Sequence, residues 1–206
     1  MSASVRIRKA QPEDSRAIAA LHARQIPWGL LSRLGEEFVG NFYEALFRSP
    51  FGFGFLAEEN GRLLGFATGV VDWRPFYKTF LRSRLGLAVR ALISGLGEGR
   101  WRRLLETSRY AASDGLPPAE LVSIALEPDA RGSGVGKDLV HCVLEEFSAR
   151  RVDAVRVTAG STNAPANRLY ERAGFRLYGN VEIHPGETAA VYVISLGSEQ
   201  RYPVLS

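Results

Sequence analysis

The chain reads Leu126-Glu127-Pro128-Asp129-Ala130-Arg131-Gly132-Ser133-Gly134-Val135-Gly136-Lys137 where a short apolar run meets an amphipathic one. Residues 121–126 have the length and composition of a strand, and the apolar residues after the loop recur on one face of a helix: Leu139, Val140, Val143, Leu144 and Phe147. The glycines therefore fall in a strand-to-helix turn. Free backbone amides at the helix N-terminus, the helix dipole and the charges of Arg131 and Lys137 suit an anion such as a phosphate.

Two common phosphate-binding loops do not match this stretch. A Walker A loop requires G-x-x-x-x-G-K-[ST], but the spacing from Gly132 to Gly136 is one residue too short and Asp138 stands where the hydroxyl belongs. A dinucleotide fingerprint requires G-x-G-x-x-G, whereas the glycines here follow G-x-G-x-G. On this segment alone, an ordinary glycine-rich connection stays open beside a phosphate cradle.

A second segment narrows the choice: Asn163-Ala164-Pro165-Ala166-Asn167-Arg168-Leu169-Tyr170-Glu171-Arg172-Ala173-Gly174-Phe175. It follows the apolar strand predicted over 154–158, and Gly174 has the position of a helix C-cap. The pair of motifs, R-G-x-G-x-G followed by N-x-x-A-x-x-L-Y-E-x-x-G-F, resembles the GNAT N-acetyltransferase superfamily. The resemblance covers about residues 4–71 and 119–197.

This resemblance implies acetyl-CoA as co-substrate and assigns residues to it. The loop amides would bind the pyrophosphate, the fourth strand and an asparagine would hold pantetheine and the acetyl group, and Tyr170 would protonate the departing thiolate. As an alternative, Tyr170 is a partly buried tyrosine that caps its short helix. The implied cofactor-binding residues are Ile124, Ala125, Leu126, Arg131, Gly132, Ser133, Gly134, Val135, Gly136, Lys137, Asn163 and Tyr170.

The expected fold is mixed α/β in one domain over residues 1–206. The family resemblance implies a mixed, mostly antiparallel sheet of about seven strands, flanked by helices and splayed open beside the fourth strand. Asn60-Gly61 marks a hairpin turn between strands at 53–57 and 63–70. The remaining predicted elements are strands at 5–8, 175–178 and 190–196 and helices at 12–22 and 32–48.

The composition is that of a globular enzyme domain. Of the 206 residues, 46% are hydrophobic and 23% are charged, which supports a sizeable core and excludes a disordered chain. The single cysteine, Cys142, cannot form an internal disulfide and favours a small buried apolar role in a cytoplasmic protein. We find no signal peptide and no apolar run near the roughly 20 residues of a membrane span.

Residues 72–118 form a long insertion between the predicted third and fourth strands, on the side expected to receive the acceptor. Between 72 and 110 the net charge is +6 against +4 for the whole chain, so the basic character is local. The nine basic residues are Arg74, Lys78, Arg82, Arg84, Arg90, Arg100, Arg102, Arg103 and Arg109.

Three interpretations of the insertion stay open. Its helices and aromatic residues shape the acceptor pocket, with Trp73, Phe76, Tyr77 and Trp101 as walls. Alternatively, residues 74–103 contact an anionic surface such as a membrane. In the third interpretation the charges are a solvated face and the aromatics pack on the core or on a second subunit in a homodimer. Nucleic acid ranks last among the partners.

A general base must remove a proton from an ammonium acceptor before attack. Glu120 matches a position where other GNAT members place a catalytic glutamate, although an exposed strand-end carboxylate is an equal alternative. Asp72, Glu58, Glu182 or a water chain could also serve as the base.

The three histidines are isolated from one another in the sequence. His22 and His141 fall in predicted helices as packing or surface residues, and His184 falls in a late turn that could reach the acceptor. No residues have metal-ligand spacing, so we predict no metal.

The sequence thus predicts an acetyl-CoA-dependent N-acetyltransferase that transfers the acetyl group directly to a small amine. An amino sugar would account for both the basic charge and the aromatic surface, while a protein amine, an amino acid or a polyamine stays open. The competing class is a non-catalytic module that binds CoA or an anionic surface.

Overall fold

The computed structural model describes residues 4–27, 30–83, 115–184 and 187–197. Short 3-10 turns precede the first long helix and the glycine loop, at Pro12–Asp14 and Pro128–Ala130. The strands are β1 (Arg6–Lys9), β2 (Gly52–Glu59), β3 (Arg62–Val70), β4 (Ala119–Leu126), β5 (Ala154–Gly160), β6 (Arg176–His184) and β7 (Glu187–Ser195). The helices in this part of the chain are α1 (Ser15–Gln25), α2 (Leu30–Arg33), α3 (Glu36–Arg48), α4 (Trp73–Ser83), α5 (Val135–Ala149) and α6 (Ala164–Arg172).

The strands form one seven-stranded sheet in the order β1-β2-β3-β4-β5-β7-β6. All neighbours are antiparallel except β4 and β5, which are parallel. Ala119–Leu121 pair with Val155–Val157, and the ladder between β4 and β5 ends there. Both strands continue beyond that point, so a gap opens between them. The predicted mixed, mostly antiparallel sheet with a splay at the fourth strand is therefore confirmed.

A β-bulge lies in β4 where the two parallel strands separate. Leu121 faces Gly69 and Ser123 faces Thr68 on β3, which leaves Val122 as an extra residue. A bulge shifts the alternation of side chains along a strand. Beyond it, Ile124 packs with the core beneath α5 and Ala125 packs with the core beneath α1 and α3.

The sheet separates two hydrophobic cores. One side is covered by α5, which buries Leu139, Val140, Val143 and Phe147 against β2, β3 and β4. The other is covered by α1, α3 and α4. In α3 the buried residues recur at i, i+3, i+4 and i+7, the spacing that one helical face requires: Val39, Phe42, Tyr43 and Leu46.

Several element boundaries differ from the sequence predictions. The helix predicted over 32–48 is two helices, because Gly35 precedes α3 with φ +91°, a conformation that interrupts a right-handed helix. The hairpin at Asn60 and Gly61 is confirmed, with φ of +50° and +77° as such tight turns require. β6 is longer than predicted and ends at His184, so that residue belongs to a strand and the prediction of a turn is wrong.

The insertion begins with α4, which packs on α3. Trp73, Phe76 and Phe80 contact the ring of Phe42. The predictions for Trp101 and for the basic residues between 84 and 109 lie outside the described residues. No helix in the described part of the chain has the length and apolar character needed to cross a membrane.

Candidate active site

The glycine loop presents backbone amides in front of α5. Gly132 and Gly134 have φ of +79° and +99°, and a Cβ added at either would meet no heavy atom within 4 Å. Asp138 is the first helix residue whose amide donates within the helix, to the Gly134 carbonyl at 3.1 Å. The amides of the first turn precede it and point into the space before the loop. The arrangement suits an anionic group, as the sequence predicts.

Gly136 has a different role. A Cβ at this position would lie 3.0 Å from Leu126 Cδ1 at the end of β4. Glycine therefore allows the first turn of α5 to approach the strand closely, which sets the loop beside the gap between β4 and β5.

A polar network joins the loop to the C-terminal end of α1. Arg131 Nη2 donates to Gln25 Oε1 at 2.5 Å, and Glu127 accepts from Arg24 at 2.5 Å and from Gln25 at 3.3 Å. Ser133 Oγ donates to the Ala130 carbonyl at 2.7 Å, so its hydroxyl braces the turn. The Arg131 guanidinium bonds a neutral amide here, and the exposed Lys137 adds a second positive charge beside the loop.

The gap between β4 and β5 starts beyond Leu121, and β4 continues along it to Leu126, just before this loop. On the β3 side, Ile124, Ala125 and Leu126 pair with Ala67, Phe66 and Gly65. On the other side of the gap, residues 158–160 of β5 pair with β7. The β4 backbone groups that point toward β5 therefore have no strand partner beyond Leu121 within the described residues. This exposed edge lies where the resemblance implies pantetheine.

Tyr170 is buried on α6, in the core that α5 covers. Its ring centroid lies 5.9 Å from that of Phe175 and 6.2 Å from that of Tyr192, and the residue is 4% exposed. Burial, and to a smaller degree the negative charge of Glu120, raise the pKa of the Tyr170 phenol above its ordinary value. The hydroxyl is therefore protonated at neutral pH.

Asn163 is the N-cap of α6. Its Oδ1 accepts a hydrogen bond from the Ala166 amide at 3.3 Å. The neighbouring Asn167 Nδ2 donates to the carbonyls of Gly160 and Ser161 at 3.4 and 3.2 Å. Asn163 thus caps α6, and Asn167 ties that helix to the end of β5, structural roles that the sequence analysis did not predict.

Glu120 lies within a polar cluster and is not an exposed strand-end carboxylate. Its Oε2 accepts from Arg156 Nε at 2.9 Å and from Trp73 Nε1 at 2.6 Å. The Glu120 side chain is 16% exposed and that of Arg156 is 1% exposed. Sequence reasoning missed both partners. The burial of an arginine inside an apolar strand, Ala154-Val155-Arg156-Val157, was the available signal, because buried charges require a partner.

The other carboxylates named as bases are engaged elsewhere. Glu58 accepts from Arg8 at 2.7 Å, and Asp72 Oδ1 accepts from the Arg74 amide at the start of α4. Glu182 belongs to β6, and its side chain lies outside the described residues.

The two histidines in helices have separate environments. His22 is buried, with Nδ1 2.7 Å from the Tyr43 hydroxyl, and burial lowers its pKa to about 4. His141 is exposed on α5 and pairs with Glu145 at 3.2 Å. Across the described ranges, no three His, Cys, Asp or Glu side chains gather closely enough to bind a metal ion.

Residues 17–175 match the Acetyltransferase (GNAT) family. A curated relative, the mycothiol acetyltransferase of Acidothermus cellulolyticus, is 32% identical over 177 residues, which are 85% of this chain and 43% of the relative. The chain therefore spans less than half of the length of that protein.

Solved structures share the fold at low sequence identity. The N-acetyltransferase of Staphylococcus aureus Mu50 has a TM-score of 0.63 at 20% identity and covers 94% of this chain and 99% of its own. The Salmonella typhimurium protein yncA, solved with its cofactor acetyl-CoA, has a TM-score of 0.62 at 19% identity. The match covers 95% of this chain and 96% of yncA. With a family match over more than half of its residues, this chain belongs to the Acetyltransferase (GNAT) family.

Proposed function

We propose that this protein is an acetyl-CoA-dependent N-acetyltransferase that acetylates the amine of a small acceptor. The observation that carries the proposal is the gap that opens between β4 and β5 beyond Leu121, on a strand that leads into a glycine loop at a helix N-terminus. An elongated thioester with a pyrophosphate at one end fits such a slot. The acetyl-CoA bound to yncA, a protein of the same fold, supports this choice of co-substrate.

In this proposal the pyrophosphate binds the amides of Gly132 to Lys137. The open space before Gly134 admits the phosphate oxygens, and the helix dipole adds to their attraction. Arg131 and Lys137 supply the positive side chains. Pantetheine then runs along residues 124–126 of β4, with Asn163 on the far side of the gap.

The chemistry is a direct transfer. The acceptor nitrogen attacks the thioester carbonyl, a C–N bond forms, and the C–S bond breaks as the electron pair moves to sulfur. A backbone amide of β4 stabilises the negative charge on the carbonyl oxygen. Glu120 takes one proton from the ammonium group before the attack, directly or through water, and the nitrogen loses a second proton to water as the C–S bond breaks, which balances the proton that Tyr170 gives to sulfur. Holding both reactants in one gap supplies much of the rate advantage.

Tyr170 is the proposed acid for the departing thiolate. Its raised pKa keeps the phenol protonated before reaction, which a proton donor requires. The same raised pKa makes complete ionisation of the phenol costly. We therefore assign to Tyr170 a hydrogen bond that strengthens as charge develops on sulfur, with proton transfer completed as CoA leaves.

The favoured acceptor is an amino sugar or another small amine. Relatives named mycothiol acetyltransferase support a small-molecule acceptor. A protein amine is the second acceptor class. As part of the same proposal the enzyme works in the cytoplasm, which a single cysteine suits.

Isothermal titration with acetyl-CoA tests the proposal first, followed by a thiol-release screen across amino sugars, mycothiol-type amines, amino acids, polyamines and peptides. Micromolar binding with thiol release on a small amine is the expected result. Release only on peptides would move the assignment to a protein amine. Binding without turnover on any of these acceptors would favour a regulatory CoA-binding module, and no binding would refute the assignment of the loop.

A further inference from the structure

The Glu120–Arg156 pair stands where the two parallel strands separate. The two residues are direct partners in the three-residue ladder between β4 and β5, one position before its end. The backbone ladder is short here, so the ion pair provides a side-chain tie between strands that diverge immediately afterwards. The orientation of the carboxylate is thereby linked to the geometry of the gap.

Trp73 links the same carboxylate to the insertion. Its indole Nε1 donates to Glu120 Oε2 at 2.6 Å, and its backbone amide donates to the Pro118 carbonyl just before β4. The indole ring also stacks on Phe42 of α3, with centroids 6.3 Å apart. The first residue of α4 is therefore held from three directions, and its N–H group has a fixed position relative to β4.

The two donors occupy the same carboxylate oxygen. Arg156 Nε and Trp73 Nε1 both bond Oε2, and within the described residues no hydrogen bond reaches Oε1. Two donors on one oxygen fix the plane of a carboxylate and leave its second oxygen available as an acceptor. The negative charge of Glu120 also contributes to the raised pKa of the Tyr170 phenol, the proposed acid.

We propose that Arg156 and Trp73 are positioning residues that orient Glu120 so that its Oε1 binds the ammonium group of the acceptor. This inference rests on the proposed function and adds to it a substrate requirement, namely a cationic amine. Neither residue touches the reacting atoms. The α4 segment of the insertion thus contributes to acceptor binding through a hydrogen bond to the sheet.

Trp73→Phe is the decisive variant. Phenylalanine keeps an aromatic ring against Phe42 and removes only the N–H donor. We expect the acceptor KM to rise about tenfold or more, as for loss of one hydrogen bond to a charged group, while the acetyl-CoA KM stays within about twofold of the parent. Tyr178→Phe is the matched control, because it also removes a donor that reaches the insertion, at the Gly115 carbonyl, and is remote from Glu120 in the hydrogen-bond network.

The role of the Arg156 positive charge is tested with one variant that removes the charge and one that keeps it. Arg156→Met removes the buried cation, and Arg156→Lys keeps it, so we expect the lysine variant to recover part of the acceptor affinity that the methionine variant loses. Circular dichroism checks that each variant folds. If Arg156→Met does not fold, the comparison of Trp73→Phe with Tyr178→Phe decides the matter.

The preference of the protein for a charged amine over a neutral analogue distinguishes the positioning role of Trp73 from a general loss of structure. The probes are the amine that releases thiol in the screen and its hydroxyl analogue as an inhibitor, with glucosamine and glucose as the first pair. The parent should bind the amine about tenfold more tightly than the hydroxyl analogue, and Trp73→Phe should reduce that ratio. Equal ratios in the parent and in Trp73→Phe, or equal kinetics in Trp73→Phe and Tyr178→Phe, would overturn the inference.

Acetyl-CoA binding and thiol release by the parent protein distinguish failure of this inference from failure of the proposed function. A parent that binds acetyl-CoA and releases thiol, with an unaltered Trp73→Phe variant, refutes the positioning role alone. A parent that neither binds acetyl-CoA nor releases thiol refutes the function and this inference with it.

Discussion

Tyr170 has the burial and surroundings that make its hydroxyl easy to test alone. Tyr170→Phe preserves the ring that packs on Phe175 and Tyr192 and removes only the proton donor. We expect kcat to fall by about 100-fold or more, the range for loss of a general acid, with acetyl-CoA affinity unchanged. Thiol-release assays measure kcat, and titration calorimetry measures the affinity for acetyl-CoA. A variant with full kcat would remove Tyr170 from the chemistry.

Gly134 and Gly61 form a matched pair for testing the phosphate cradle. Both have positive φ, +99° and +77°, and a Cβ at either meets nothing within 4 Å, so a side chain brings similar backbone strain to each. Gly134→Glu also places a carboxylate before the loop amides. We expect it to abolish acetyl-CoA binding in calorimetry, while Gly61→Glu, in a hairpin turn that presents no helix N-terminus, binds as the parent does. Equal affinities in both variants would show that the loop is not the cofactor site.

His22 makes stability depend on pH. The fold accommodates the neutral ring, so the pKa is about 4 in the folded protein against an ordinary 6.5, and the unfolded chain binds the proton first. Stability that is complete above pH 6.5 is therefore lost as the pH falls toward 4. The linkage amounts to about 3 kcal/mol between pH 7 and pH 4.

Urea unfolding of the parent and of His22→Leu at several pH values measures this contribution. Asp14, whose pKa is lowered by Arg8, also loses its native interaction in acid, so the difference between the two proteins isolates His22. Parallel pH curves for parent and variant would show that another group causes the acid loss.

At the residue scale, the sequence predicts side chains that belong to a local pattern and misses those defined by tertiary partners. Gly134 and Tyr170 fall within contiguous motifs, and the structure places the first at the N-cap of α5 and the second, buried, on α6. The partners of Glu120 could not be predicted in the same way. Arg156 lies on another strand and Trp73 lies in the insertion, and neither the β4–β5 register nor the position of α4 follows from local spacing.

At the scale of elements, α4 is an amphipathic helix that attaches the insertion to the sheet through α3. Phe76 is 1% exposed, and its ring meets Phe42 edge-on at 5.7 Å and stacks on Phe80 at 6.0 Å. The packing of this helix therefore depends on a few aromatic side chains.

Phe76→Ala should destabilise the protein by about 3 kcal/mol or more, because it leaves a cavity among aromatic rings. Thr79→Ala, on the exposed side of the same helix, should change the free energy of unfolding by less than about 0.5 kcal/mol. Chemical denaturation measures both variants. Similar small effects would mean that α4 adds little to the stability of the fold.

Element type was more predictable than element boundaries. Periodicity predicted the strand before the glycine loop, the amphipathic α5 and the hairpin at Asn60-Gly61 correctly, because each pattern is contiguous. The break at Gly35 was missed because Phe38 and Phe42 continue a helical spacing that suggests one longer helix. The bulge at Val122 has no local signal, since it arises from pairing with β3.

At the scale of the whole molecule, we expect the stability of the sheet to depend on whether a ligand occupies the gap between β4 and β5. Three residue pairs alone join β4 to β5, so the two parts of the sheet are connected by few backbone hydrogen bonds within the described residues. A cofactor that lies between these strands and contacts both would add interactions that the free protein lacks, and binding to the folded state alone raises stability.

Acetyl-CoA should therefore raise the thermal unfolding midpoint of the parent. At a concentration about 100 times the Kd, ligand binding adds about 2.7 kcal/mol, which for a chain of this size corresponds to about 5–10 °C. Differential scanning calorimetry of the parent and of Gly61→Glu should show this shift, whereas Gly134→Glu should show none. Free adenosine is the ligand control, since it lacks the pyrophosphate and the thioester arm that would join loop and gap. An equal shift with adenosine would mean that stabilisation comes from a nucleoside site and that neither the loop amides nor the β4–β5 gap holds the cofactor.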